Sequence, residues 1–123
     1  MNESQTPRKR LLAPAHLRAS FWLFSCSVLA LSLLPTSHTL PTTGWDKSNH
    51  LSAFLLLTML GLLAYPAKPR ITMIALVAYG GMIEVLQSFT AYRFAEWGDL
   101  LADAIGVCLG GLLTATIQRR RKR

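Results

Sequence analysis

Asp46 and His50 stand four residues apart, Glu84 and Gln87 three, and Asp99 and Asp103 four, spacings that in a helix stack each pair on one face. A carboxylate beside an imidazole orients the ring and makes a pair able to move protons near neutral pH, so His50 and Glu84 are the candidate catalytic residues. Asp46, Lys47, Gln87, Arg93, Asp99 and Asp103 are the candidate binding residues. Lys47 and Arg93 suit a phosphate, and the acids suit amines, hydroxyls or a cation. Glu84, Asp99, Asp103 and His50 are also donors for a divalent ion, the carboxylates favouring Mg, Mn or Ca and the histidine adding Zn. No His-x-x-x-His or cysteine pair narrows that choice, so the metal and any cofactor stay unassigned. Ser48, Ser52 and Ser88 lack the spacing of a strained nucleophile turn, which argues against a Ser/His/Asp triad.

These residues lie in or beside four apolar runs, at 19–34, 50–65, 71–89 and 100–117. With its flanks, each approaches the roughly 17 to 25 residues that cross a bilayer as helix. Hydrophobic residues make up 51% of the chain and mean hydropathy is +0.33, high for a soluble domain of 123 residues. The predicted fold class is all-α, an integral membrane four-helix bundle. Five of the six carboxylates, Asp46, Glu84, Glu96, Asp99 and Asp103, then fall at the same-side ends of the spans. An ionised side chain at mid-bilayer costs about 2.5 to 3.5 kcal/mol on insertion scales, so such acids need partners or a task. Glu84 lies deepest, about 20 Å from the opposite end of its helix at 1.5 Å per residue. Its bland reading is an ion pair with Lys47 or Arg93, and that of Asp103 a pair with Arg93 or His50. Glu96 reads as an ordinary loop acid.

Charge sets the orientation. The net +7 is not spread as a nucleic-acid surface would spread it, because eleven Lys and Arg fall on one side of a four-span chain and only Lys47 and Arg93 on the other. The expectation is a multi-pass protein of the plasma (inner) membrane with both termini cytoplasmic, an acidic pocket facing out, and basic ends touching anionic lipid headgroups. Membrane lipids are the expected partners, and nucleic acid is not. The chain divides into a basic arm at 1–18, a membrane domain at 19–117 and a basic tail at 118–123. The first run lacks an Ala-x-Ala-like cleavage site and reads as a retained anchor. Cys26 and Cys108 sit within spans, and no disulfide is expected.

Pro35 and Pro66 mark helix ends, and residues 66–70 form a turn short enough to make the second and third helices antiparallel neighbours. Gly80-Gly81 reads as a packing site. Gly106-x-x-x-Gly110 is a close-packing seam, expected to serve within the bundle before it serves a dimer; the oligomeric state stays open. Residues 90–98 are expected to lie along the membrane surface.

The ordered set Asp46-Lys47-x-x-His50 with Phe54, Glu84-x-x-Gln87-x-Phe89, Arg93, and Asp99-x-x-x-Asp103-x-x-Gly106-x-x-x-Gly110 resembles the VanZ-like membrane proteins, over residues 45–111. That pattern often has Asn where Asp103 stands. The resemblance implies a small helical membrane protein, in some members linked to glycopeptide (teicoplanin) tolerance or to the cell envelope, and it brings no established reaction. The function expected is recognition of a lipid or peptidoglycan-precursor headgroup at the outward polar site. A membrane enzyme acting on a lipid-linked headgroup is the alternative. Proton- or cation-coupled transport ranks third, since four spans carry no visible inverted repeat.

Overall fold

The computed structural model describes residues 13–35, 46–92 and 95–123. They form α1 (Ala15–Leu33), α2 (Asp46–Ala64), α3 (Pro69–Ser88) and α4 (Trp97–Arg121), with no strand among the described residues. Each helix is long and apolar enough to cross a membrane. The chain is an all-α four-helix bundle.

Local chemistry sets the helix ends. The Leu34 N–H still reaches the Ala30 carbonyl, at 3.2 Å, before Pro35 stops α1. α2 closes with the Tyr65 N–H on the Gly61 carbonyl, ahead of Pro66. Pro69 opens α3 in the first turn, where its missing N–H costs nothing. α4 carries Asp99 in its first turn and Arg119, Arg120 and Arg121 in its last, each sign at the end of the helix dipole that favours it. α4 runs beyond its apolar run, so the basic residues up to Arg121 ride on the helix. At 1.5 Å per residue it is about 37 Å long, against about 30 Å for the others.

α2 is the hub. Its main partner is α4 and not the hairpin neighbour α3, although α2 and α3 also touch. The glycines explain the choice. A Cβ at Gly106 would stand 2.5 Å from the Leu51 carbonyl oxygen, and one at Gly110 2.6 Å from that of Leu55. Only hydrogen in those places lets the two backbones meet, which is the internal use expected of the seam. Phe54, Leu57, Ile83 and Val107 fill the centre.

α1 packs on α2 and α3 and, among the described residues, does not meet α4. Phe21 places its ring edge-on to Tyr65, with centroids 5.8 Å apart. Polar bonds pin α1 along its length: Trp22 Nε1 donates to the Tyr65 hydroxyl (2.8 Å) and the Tyr79 hydroxyl to the Ser25 carbonyl (2.5 Å). At its C-terminal turn the Ser32 and Leu33 carbonyls have no helical partner among the described residues. They accept from Gln87 Nε2 (2.9 Å) and the Tyr92 hydroxyl (2.8 Å). Large apolar side chains point outward all round, Leu23, Ile74, Leu112 and Trp97 among them, as a lipid-facing surface requires.

This topology sorts charge between the two ends. Arg18, Lys68, Arg70 and the cations from Arg119 to Arg123 lie at one end, and the first turns of α2 and α4 with the last turns of α3 lie at the other.

Candidate functional site

At the second end, three helices each contribute a buried polar side chain. His50 is one turn into α2, Glu84 one turn short of the end of α3, and Asp103 nearly two turns into α4, about 6 to 9 Å inside the helix ends. They retain 7%, 7% and 0% of their surface. His50 Nδ1 is 2.8 Å from Asp103 Oδ1, so an ionised Asp103 accepts the ring N–H and holds the imidazole in place. Glu84 Oε2 accepts the backbone N–H of Glu96 at 3.1 Å. One donor-type atom each from His50, Glu84 and Asp103 lies within 4.8 Å of the other two.

Space for this cluster is cut by Gly80. A Cβ there would fall 2.7 Å from Asp103 Oδ2, so the carboxylate occupies the volume that a side chain on α3 would take. That oxygen, Glu84 Oε1 and Gln87 Oε1 are buried with no hydrogen-bond partner. A buried acceptor without a donor costs about 1 to 3 kcal/mol, more when charged, so each of the three atoms carries such a cost.

A clasp closes the rim. Lys47 Nζ donates to Glu96 Oε2 at 2.8 Å and stands 3.7 Å from Asp99 Oδ1. The hydrogen bond and positive charge of Lys47 hold the exposed Glu96 carboxyl below its usual range. A Cβ at Gly98 would fall 2.5 Å from Lys47 Cε, so the lysine stem crosses directly over that glycine.

Of the residues singled out from sequence, His50, Lys47, Glu84, Gln87, Asp99 and Asp103 gather at this end. Asp46 opens α2, but its side chain lies outside the described residues, as does all of Arg93. The carboxylate that meets His50 comes from α4, across the α2–α4 seam. Lys47 pairs with Glu96 and Asp99 and not with Glu84. Gln87 directs its amide N–H to the Ser32 carbonyl and so ties the site to α1. Sequence reasoning missed two contributors. Glu96 is no ordinary loop acid, since its carboxylate anchors Lys47 while its backbone N–H holds Glu84. Gly80 makes room for a carboxylate, whereas a Cβ at Gly81 would have nothing within 4 Å of it. Only the three-residue step from Glu96 to Asp99 hinted at the first, and for the second the Gly80-Gly81 pair signalled close packing without naming the carboxylate that it admits.

A family model described as VanZ/LLP1 matches residues 8–118, which takes in three helices and all but the last turn of α4. The chain belongs to the VanZ/LLP1 family. No curated protein and no solved structure matches it. Family and fold together make it a VanZ-like membrane protein. In this VanZ-family chain the motif residues from α2, α3 and α4 converge on one buried layer, and the glycines of the same motif are what let the helices close around it. That layer has a histidine held by a carboxylate, a second carboxylate with an unpartnered oxygen, and a half-buried lysine at the rim. It is equipped to accept hydrogen bonds from a ligand, to hold a cation, or to pass a proton between His50 and Glu84.

Proposed function

We propose that this VanZ-family protein sits in the plasma membrane with both termini cytoplasmic, and that its polar end faces outward to take the headgroup of a lipid or lipid-linked peptidoglycan precursor. The carrying observation is the row of unpartnered buried acceptors, Glu84 Oε1, Gln87 Oε1 and Asp103 Oδ2. A membrane helix bundle keeps such atoms at a cost, and a ligand rich in N–H and O–H groups, such as an amino sugar, a glycerol or a peptide stem, offers the donors they lack. Lys47 at the rim is placed for the phosphate that joins such a headgroup to its lipid. The orientation rests on the charge split, with the basic end inside as the positive-inside rule asks. A role in the cell envelope, and in glycopeptide tolerance as for some relatives, follows from that reading.

Catalysis on the same headgroup is the second reading, favoured by one observation: the 2.8 Å His50–Asp103 contact presents an oriented imidazole beside Glu84. His50 and Glu84 would then carry protons, with Lys47 holding the phosphate.

The test is lipid analysis of the purified protein beside His50→Ala and Glu84→Gln. Recognition predicts one lipid class enriched on the parent and lost from both variants. Equal lipid content on all three removes the headgroup reading. Turnover of an added lipid-linked substrate that vanishes in folded Glu84→Gln favours the enzyme. Reporter fusions after Arg123 and within residues 36–44 should locate inside and outside; the reverse would defeat the orientation.

A further inference from the structure

We infer that His50, Glu84 and Asp103 form a binding centre for one divalent metal ion of the Mn²⁺/Zn²⁺ class, through which an anionic headgroup is held. The inference rests on the reading of this cluster as a ligand site and supplies what that reading lacks.

Electrostatics expose the gap. Among side chains described at this end, Glu84, Glu96, Asp99 and Asp103 oppose the single ammonium of Lys47, a formal surplus of three negative charges with His50 neutral. Lys47 is engaged by Glu96 at 2.8 Å and Asp99 at 3.7 Å. No Lys or Arg among the described residues makes an ion pair with Glu84 or Asp103. A phosphate entering such a layer meets like charge. A divalent cation between the two inner carboxylates neutralises them and turns a repelling pocket into an attracting one.

Geometry fits one ion. Ligands on opposite sides of a cation with bonds of about 2.1 to 2.4 Å stand about 4.2 to 4.8 Å apart, and adjacent ones about 3.0 to 3.4 Å. The donor atoms of His50, Glu84 and Asp103 lie within 4.8 Å of one another, so small side-chain rotations bring all three onto a common centre. Independently of that clustering, Glu84 Oε1 and Asp103 Oδ2 are buried without partners. These are oxygens the fold leaves available while their sister oxygens are used, Oε2 by the Glu96 N–H and Oδ1 by His50. For His50 to ligate beside Asp103, the proton shared by Nδ1 and the carboxylate is released as the ion binds, since a metal on Nε2 would lie across the ring from Asp103. One nitrogen with two carboxylates favours Mn²⁺ or Zn²⁺ over Mg²⁺ or Ca²⁺, whose sites are all oxygen. Three protein ligands leave positions open for phosphate oxygens or water.

The test uses the full chain in lipid nanodiscs, stripped with a chelator and titrated separately with MnCl2 and ZnCl2. Binding is read by loss of the free-Mn²⁺ resonance and by metal content after desalting. Saturation near one ion per chain is expected, weakened at least about tenfold in Glu84→Gln, Asp103→Asn and His50→Ala. The Cys26→Ser, Cys108→Ser double variant should bind like the parent, since both thiols are exposed elsewhere. Helical circular dichroism and a single elution peak certify folding, and Glu84→Gln decides the matter if the Asp103 variant does not fold. Absence of saturable binding to the folded parent, or unchanged binding in folded Glu84→Gln, overturns the inference. Lipid content measured on the same samples separates the two proposals: bound metal with no enriched lipid sinks the headgroup alone, and enriched lipid without metal sinks the ion alone.

Discussion

Gly106→Ala tests the seam on which the whole site depends. The new Cβ would stand 2.5 Å from the Leu51 carbonyl oxygen and 3.1 Å from both the Leu55 nitrogen and Phe54 Cβ, and ordinary contact begins at 3.4 Å. Two of the three obstacles are backbone and cannot swing aside, so α2 and α4 must part by up to about 0.9 Å at that level. Overpacking of this kind costs about 1 to 3 kcal/mol. The natural control is Gly81→Ala, because nothing lies within 4 Å of a Cβ there. Replacing glycine by alanine favours helix by up to about 1 kcal/mol at either position, so the difference between the two variants isolates the clash. Reversible unfolding in mixed micelles should rank Gly106→Ala below Gly81→Ala by about 1 to 3 kcal/mol, roughly a 5- to 150-fold difference in folded-to-unfolded ratio. The His50 ring signal in nitrogen NMR should shift only in Gly106→Ala, since Leu51 is next to His50 and Gly106 is three residues from Asp103. Equal stability of the two variants would refute the claim that backbone contact at the seam positions the site.

Three further outcomes follow from the same geometry. Gly80→Ala should keep its helical content yet weaken Mn²⁺ or Zn²⁺ affinity about tenfold, because the methyl would press on Asp103 Oδ2 from 2.7 Å; metal titration reads this. Glu96 has a lowered pKa in the folded chain, so the Lys47 clasp holds above the value of a free glutamate and is lost as pH falls through the lowered one. Lys47→Met should move the Glu96 titration midpoint, followed by carboxyl carbon NMR, up toward the ordinary value near ~4.3. Gln87→Leu removes the donor that caps the Ser32 carbonyl together with the unpartnered Oε1, so its cost should stay below about 1 to 2 kcal/mol while hydrogen exchange quickens at the end of α1.

Much of the fold was legible in the sequence because the signals are one-dimensional. Apolar runs of spanning length, prolines at 35 and 66 and a short 66–70 turn suffice for four antiparallel helices, and Gly106 and Gly110 announce a close contact without naming its partner. Charge asymmetry between the connections likewise placed His50, Glu84, Asp99 and Asp103 in one layer. Cross-helix register was not legible. Whether Lys47 reaches Glu84 or Glu96, and which carboxylate meets His50, depends on rotations and shifts of a few ångströms between helices, to which a single sequence is blind. Gly80 shows the limit best, for its role is the shape of a partner's carboxylate and its own residue type says only that something comes near.

The pins on α1 have a consequence for how the molecule is made. Trp22, Ser25, Ser32 and Leu33 are bonded by Tyr65, Tyr79, Gln87 and Tyr92, so every one of these partners lies C-terminal to the helix it secures. During synthesis α1 reaches the bilayer first and waits. Its end carbonyls stay uncapped by Gln87 and Tyr92 until α3 and the turn after it have been translated, and Gln87 belongs to the same helix face that delivers Glu84. Securing the first helix therefore waits on the helix that also delivers Glu84, and the polar layer waits longer, for Glu96 and Asp103 beyond residue 92.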